Sequence, residues 1–161
     1  MKKIFVLLVV VATMFAQDVF AQDKPQMTDE QKAAAKAKRE QLMQTRLELL
    51  KTELELNDEQ LAKFEPVYRR YRGEIQRVTG PNKEARMKKD QITNENALAV
   101  VSARLANNIL TSTVKQRYIL LFADVIEPLK VKKLYDVDEK VSREANKIMK
   151  YREQAKQLEK R

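Results

Sequence analysis

The chain has 161 residues, a formal net charge of +9, and neither cysteine nor histidine. Disulfides and thiol nucleophiles are therefore excluded, and the commonest general base is missing. With only 2 glycines and 4 prolines among many Ala, Leu, Lys, Glu, Gln and Arg residues, the composition predicts an all-α fold. Carboxylates are scattered and methionines are not clustered, so we expect no enzyme, no metal and no cofactor.

The N-terminus has the pattern of a secretory signal peptide. A lysine pair precedes the apolar residues 4–16, and the small residues Val19 and Ala21 follow at a cleavage position. The apolar stretch is shorter than the roughly 20 residues of a membrane-spanning helix. We therefore expect a signal peptide over 1–21 and one exported domain over 22–161, with a net charge of +8 and no stable membrane anchor after cleavage.

The first predicted helix begins at Thr28, which has Gln31 three positions on, as in a capping box. Residues 22–40 have few apolar side chains to bury, so this segment is predicted to be frayed or flexible. The apolar stripe lies in the second half of the helix and comprises Met43, Leu47, Leu50 and Leu54.

The second predicted helix begins just after Leu56. Asn57 and Gln60 have the spacing of an N-terminal cap, and residues 79–82, with Gly80 and Pro81, provide a stop. Its apolar residues are spaced three or four apart and so share one face: Leu61, Phe64, Tyr68, Tyr71, Ile75 and Val78.

A long third helix is predicted over 90–125. Two apolar runs mark it: Leu98, Val101, Leu105 and Ile109, then Leu110, Val114, Tyr118, Leu121 and Val125. Between Gln91 and Val114 the only charged residues are Glu95 and Arg104, so this part is a nearly neutral window. At about 1.5 Å per residue the helix spans some 50 Å, which favours an open shape or a dimer.

The fourth predicted helix has Glu127 at the cap position and Pro128 at the first helical position. A shift of 70 residues aligns it with the second helix. The aligned pairs include Leu56 with Ile126, Gln60 with Lys130, Leu61 with Val131, Phe64 with Leu134, Val67 with Val137, Tyr71 with Val141 and Val78 with Ile148. This pattern is either a degenerate internal repeat or the chance likeness of two amphipathic helices.

Positive charge is concentrated in one part of the chain. Residues 22–60 have a net charge of −2 and residues 61–161 of +10, and residues 69–89 hold eight basic and two acidic side chains. This pattern indicates either a solvated basic face or a surface that captures acidic, partly unfolded chains. The candidate capture charges are Arg69, Arg70, Arg72, Arg77, Lys88 and Lys89. Phe64, Tyr68, Tyr71 and residues of the neutral window are candidate apolar surface, with the core as the alternative.

Two short motifs carry a resemblance to a known family. Leu56-Asn57-Asp58-Glu59-Gln60 resembles the L-T-x-x-Q motif of the Spy/CpxP family of periplasmic stress proteins, with Asn in place of Thr. Ile126-Glu127-Pro128-Leu129-Lys130 is a degenerate second copy. The resemblance implies a cradle-shaped helical homodimer that holds unfolded envelope proteins without ATP. In this architecture the two motifs would form paired bends.

Other functions remain open at this stage. One is a non-catalytic envelope adaptor or the repressor of an envelope stress sensor, which would bind a single partner or an anionic surface through the basic half. A trimeric tentacled chaperone is disfavoured because no alternating β-branched run provides the β body that its subunits need. Nucleic acid is not an expected partner for an exported chain, despite the basic charge.

Overall fold

The computed structural model describes residues 28–159, and the predicted signal peptide lies outside them. Helices hold 84% of the described residues and no strand occurs among them, which confirms the all-α prediction. The four α-helices are α1 (Asp29–Glu53), α2 (Asp58–Thr79), α3 (Ala97–Ala123) and α4 (Pro128–Leu158). Two short 3₁₀ turns, Glu84–Arg86 and Lys89–Gln91, lie between α2 and α3.

The chain divides into two units, Met1–Ala37 and Lys38–Arg161. In the first unit, the described residues form the start of α1. The Thr28 hydroxyl accepts from the backbone N–H of Gln31 at 3.2 Å, and the Thr28 N–H donates to Gln31 Oε1 at 3.0 Å. This is the predicted capping box. From Asp29 onward the chain is helical, and the cap and a run of Ala and Lys support the helix; the flexibility of 22–40 stays a prediction.

In the second unit, most of the predicted apolar residues of α1 and α2 form one core with part of the second apolar run of α3 and with apolar residues of α4. It includes Leu47, Leu50 and Leu54 of α1, Phe64, Tyr68 and Tyr71 of α2, Val114, Tyr118 and Phe122 of α3, and Val131, Leu134 and Val141 of α4. Aromatic rings join α2 to α3, with centroids 5.5 Å apart for Phe64 and Phe122 and 5.4 Å apart for Tyr71 and Tyr118. Such pairs stabilise a core beyond the area they bury.

The corner between α1 and α2 is tight and capped on both sides. Glu55 has a φ of 51°, in the left-handed region, and the N–H of Leu56 donates to the carbonyl of Lys51 at 2.9 Å. Asn57 Oδ1 then accepts from the N–H of Gln60 at 2.8 Å, while the N–H of Asn57 donates to Gln60 Oε1 at 3.2 Å. The predicted capping box is therefore present.

The corner between α3 and α4 contacts the first corner. Ile126 and Leu56 are both buried, and Pro128 begins α4 as predicted. Gln60 Nε2 donates to Glu127 Oε1 at 3.1 Å, and Lys130 Nζ donates to Gln60 Oε1 at 3.3 Å. Gln60 and Lys130 are equivalent under the 70-residue shift, so the two corners pair through matching positions.

The third helix is shorter at its start than the predicted 90–125. The side chain of Asn96 accepts from the N–H of Thr93 at 2.8 Å and donates to the carbonyl of Gln91 at 3.0 Å. These bonds give the backbone an alternative to the helix, so α3 begins only at Ala97. The preceding segment is bound to α3 by Arg104, whose guanidinium donates to the carbonyls of Ala85 and Met87.

Asn57→Ala is expected to lower the free energy of unfolding by about 1 kcal/mol, because the N–H of Gln60 loses its acceptor. Urea denaturation followed by circular dichroism measures the change. Asn108→Ala is the matched control: Asn108 is an exposed residue within α3, where Ala is the better helix former. Equal stability of Asn57→Ala and the wild type would contradict a structural role for the cap.

Candidate functional site

The three aromatic residues predicted as client surface or core lie in the core. Phe64, Tyr68 and Tyr71 are 0%, 0% and 1% exposed. Their face of α2 is covered by side chains of the other helices, including Phe122 and Asp138. They are therefore not a surface on which a client could bind in this structure, and the assignment to client binding is corrected for all three. Aromatic residue types alone fit a buried core as well as a client-binding surface, so the sequence did not distinguish the two.

A buried carboxylate explains why two tyrosines are placed there. Asp138 of α4 is only 4% exposed. Tyr68 Oη donates to its Oδ1 at 2.7 Å, and Tyr71 Oη and Arg72 NH1 donate to its Oδ2, each at 3.2 Å. Burial and the nearby carboxylate raise the pKa of Tyr68 and Tyr71, so both phenols keep their protons and remain donors.

The six candidate capture charges separate into two groups. Arg69 binds both oxygens of Glu40, at 2.6 and 3.0 Å, and donates from Nε to Glu65 at 2.7 Å. Arg72 binds Asp138, so these two arginines already have carboxylate partners. The remaining four are exposed: Arg70, Arg77, Lys88 and Lys89. Of these, Arg77 has a long contact of 3.5 Å with Glu74.

An exposed aliphatic surface lies on α3. It is formed by Leu98, Val101, Leu105, Ile109 and Leu120, which are 53–83% exposed. The first four are spaced three or four residues apart and Leu120 follows three turns after Ile109, so the five share one side of the helix. We call this surface the α3 apolar face. The sequence left both the surface and the core open for the neutral window; the first four residues lie on the surface, whereas Val100 and Val114 of the window are buried.

The first part of the α3 apolar face lies on a nearly neutral stretch of helix, beside a segment that carries both signs of charge. Arg104 is the only charged residue from Ala97 to Val114. The segment that packs against this part of α3 carries four basic residues and three acidic ones: Lys83, Arg86, Lys88 and Lys89, with Glu84, Asp90 and Glu95. Asn82 of this segment donates to Asn107 of α3. Apolar side chains can therefore bind the α3 apolar face while acidic groups meet the nearby lysines.

The described residues hold no group of three or more acidic, His or Cys side chains that would fit a metal ion. Over the same residues, no helix is both long and apolar enough to span a membrane. Comparisons of the chain with protein-family models, curated proteins and solved structures give no match. The family resemblance therefore stays a prediction based on the two corner motifs.

Asp138→Ala is expected to lower the free energy of unfolding by about 3 kcal/mol, since Arg72 and two buried phenols lose their acceptor. Chemical denaturation measures the loss. Asp136→Ala is the control, because Asp136 lies on the same helix in an exposed pair with Lys132 and should cost less than about 1 kcal/mol. Asp138→Asn keeps the volume and one acceptor, so it should fall between them. Equal losses at the two positions would refute the assigned network.

Proposed function

We propose that this protein is an ATP-independent periplasmic holding chaperone of the Spy/CpxP type. It binds unfolded or partly folded envelope proteins and suppresses their aggregation during envelope stress. The observation that carries the proposal is the α3 apolar face, a row of aliphatic side chains left in water on a helix that bears one charge over its first 18 residues.

The chemistry of this face suits clients of many sequences. Each aliphatic side chain that a client covers contributes about 25 cal/mol per Å² of apolar surface removed from water. This contribution is non-directional, so it places little demand on the client sequence. Amide and hydroxyl groups of the same window, such as Asn108 and Ser112, provide polar contacts for a client backbone.

The basic residues give the proposed capture step its long-range attraction. Lys88 and Lys89 are exposed and have no ion-pair partner among the described residues, and Arg70 is also exposed. Their charges act on an approaching acidic chain before apolar contact begins. Because these charges face solvent, salt screens their attraction beyond roughly 8 Å at physiological ionic strength.

The proposal includes the homodimer that the family resemblance implies. The paired corners support the resemblance, because the two motifs contact each other through Gln60, Glu127 and Lys130. A dimer that buried the α3 apolar face would compete with clients for it. The oligomeric state therefore has to be measured alongside client binding.

Leu105→Gln combined with Ile109→Gln is expected to require roughly tenfold more protein for the same suppression of aggregation. The reason is that a client would lose contact with two aliphatic side chains. Light scattering of an unfolded client diluted into buffer without ATP measures suppression. Leu129→Gln with Leu158→Gln is the matched control, since these two leucines are similarly exposed but lie on α4.

Sedimentation of the same variants separates client binding from dimer assembly. Suppression lost with an unchanged sedimentation coefficient assigns the α3 apolar face to clients. If the double variant instead becomes monomeric, the face is the dimer contact and the client site must be sought elsewhere. Absence of suppression by the wild type at any salt concentration would overturn the chaperone proposal, leaving an adaptor or sensor repressor with one dedicated partner.

Lys88→Gln with Lys89→Gln is expected to slow the capture of an acidic client at low salt and to make little difference at high salt. Stopped-flow binding of a fluorescent client at several salt concentrations measures this rate. Lys132→Gln with Lys133→Gln removes the same charge from two consecutive lysines of α4 and serves as the control. Equal rates for both double variants would show that the two lysines beside α3 have no special role.

A further inference from the structure

An open cavity of about 410 Å³ lies between α1 and α2, and its charged lining is entirely cationic. Arg39 and Arg46 of α1 and Arg69 and Arg72 of α2 contribute to it, and no acidic residue does. Four guanidinium groups converging on one space repel each other unless negative charge lies among them. The volume lies within the range of small-molecule sites.

Internal carboxylates compensate only part of this charge. Arg69 is paired with Glu40 and Glu65, and Arg72 with Asp138. In the described part of the chain, by contrast, neither Arg39 nor Arg46 has a carboxylate within ion-pair distance. The cavity therefore has two arginines without a directly paired carboxylate, of which Arg39 is exposed and Arg46 is half-buried.

Hydrogen bonding in the cavity is incomplete as well. The Nε atoms of Arg46 and Arg72 are buried and have no hydrogen-bond partner among the described residues. Buried donors without acceptors are rare in folded proteins because each loses its bonds to water. Burial and repulsion from Arg72 lower the pKa of Arg46, and attraction by Asp138 offsets only part of this. These two Nε atoms are closed to water-sized groups, so a bound anion would supply the missing negative charge through the terminal guanidinium nitrogens.

The remaining lining indicates what is attached to that anion. Leu42, Met43 and Ile75 give the cavity an apolar part beside the arginines. Gly73 also lines it, and a Cβ added there would have no heavy atom within 4 Å. The space above Gly73 can therefore hold a ligand group. A ligand with an anionic head and a small apolar body fits this arrangement better than a bare ion.

We propose that this cavity is a binding site for an organic phosphate, a phosphomonoester dianion joined to an apolar group. Three phosphate oxygens can accept from the free donors of Arg39, Arg46 and Arg72, and guanidinium groups suit phosphate geometrically. The double negative charge matches the two arginines that have no directly paired carboxylate. This site contains none of the residues of the α3 apolar face, so it stands independently of the chaperone proposal.

The first test uses phenyl phosphate at pH 8, where the phosphate is a dianion. Titration calorimetry and thermal melting of the mature chain should show saturable binding and a melting temperature that rises with ligand concentration. Benzenesulfonate, a monoanion of similar shape, should bind at least about tenfold more weakly. Equal binding of both compounds, or no binding of phenyl phosphate, would overturn the proposal.

Two variants locate the site by different means. Arg46→Gln should weaken binding at least about tenfold, while its ligand-free melting temperature should not fall, because it removes a cation with no directly paired carboxylate. Gly73→Leu keeps every charge but fills the cavity, so it too should abolish the ligand-induced shift. Arg143→Gln, at an exposed arginine of α4, is the charge-matched control and should bind like the wild type. Unchanged binding by Gly73→Leu would refute this location.

The phosphomonoester could come from a lipid headgroup or from a free metabolite. A vesicle-binding experiment distinguishes these two sources. Vesicles of phosphatidic acid in phosphatidylcholine are compared with phenyl phosphate in a sedimentation assay. Vesicle binding that is lost in both Arg46→Gln and Gly73→Leu identifies the lipid as the source. Binding of phenyl phosphate alone identifies a soluble ligand. Vesicle binding retained in both variants, without binding of phenyl phosphate, would refute the site.

Discussion

The buried carboxylate of Asp138 is the interaction on which the arrangement of α2 and α4 depends. A carboxylate that is 4% exposed has to be matched by donors, and here all three come from one face of α2: Tyr68, Tyr71 and Arg72. This match constrains how α4 can lie against α2. A shift of one helical turn would move the carboxylate away from its donors. Apolar packing alone tolerates such a shift better, because it is non-directional.

The same hydrogen bonds give the internal repeat a physical meaning. Tyr68 and Asp138 are separated by the 70-residue shift, as are Gln60 and Lys130, and in each pair the two equivalent residues bind each other. Contacts between equivalent positions are expected when two parallel helices are related by a local two-fold axis. The corners at Leu56 and Ile126 are also related by the 70-residue shift, so the same arrangement brings them into contact. Two parallel helices that pack in register bring equivalent positions together every two turns, so these two contacts fit an internal repeat and a chance likeness alike.

Much of the fold was predictable from local chemistry. The caps at Thr28 and Asn57 and the proline at the start of α4 depend on residues within a few positions of one another, and each is present. The start of α3 was predicted wrongly because Asn96 binds backbone groups of the preceding segment, and a polar side chain gives no periodic signal. The sequence also could not predict whether Phe64, Tyr68 and Tyr71 are buried or exposed. A core and a client surface use the same residue types, and only the positions of α3 and α4 distinguish them.

The location of the aromatic residues also limits what the surface can do. Because the buried tyrosines and phenylalanines stabilise the junction of α2, α3 and α4, the exposed α3 apolar face is purely aliphatic. It has no ring for stacking and no phenol to fix an orientation, so binding there depends on area and gains little directional specificity. The arginine-lined cavity has the opposite character, because guanidinium groups impose both charge and geometry. In the two proposals, the tolerant surface and the selective cavity share no residue, so we expect that each can be changed by mutation without altering the other.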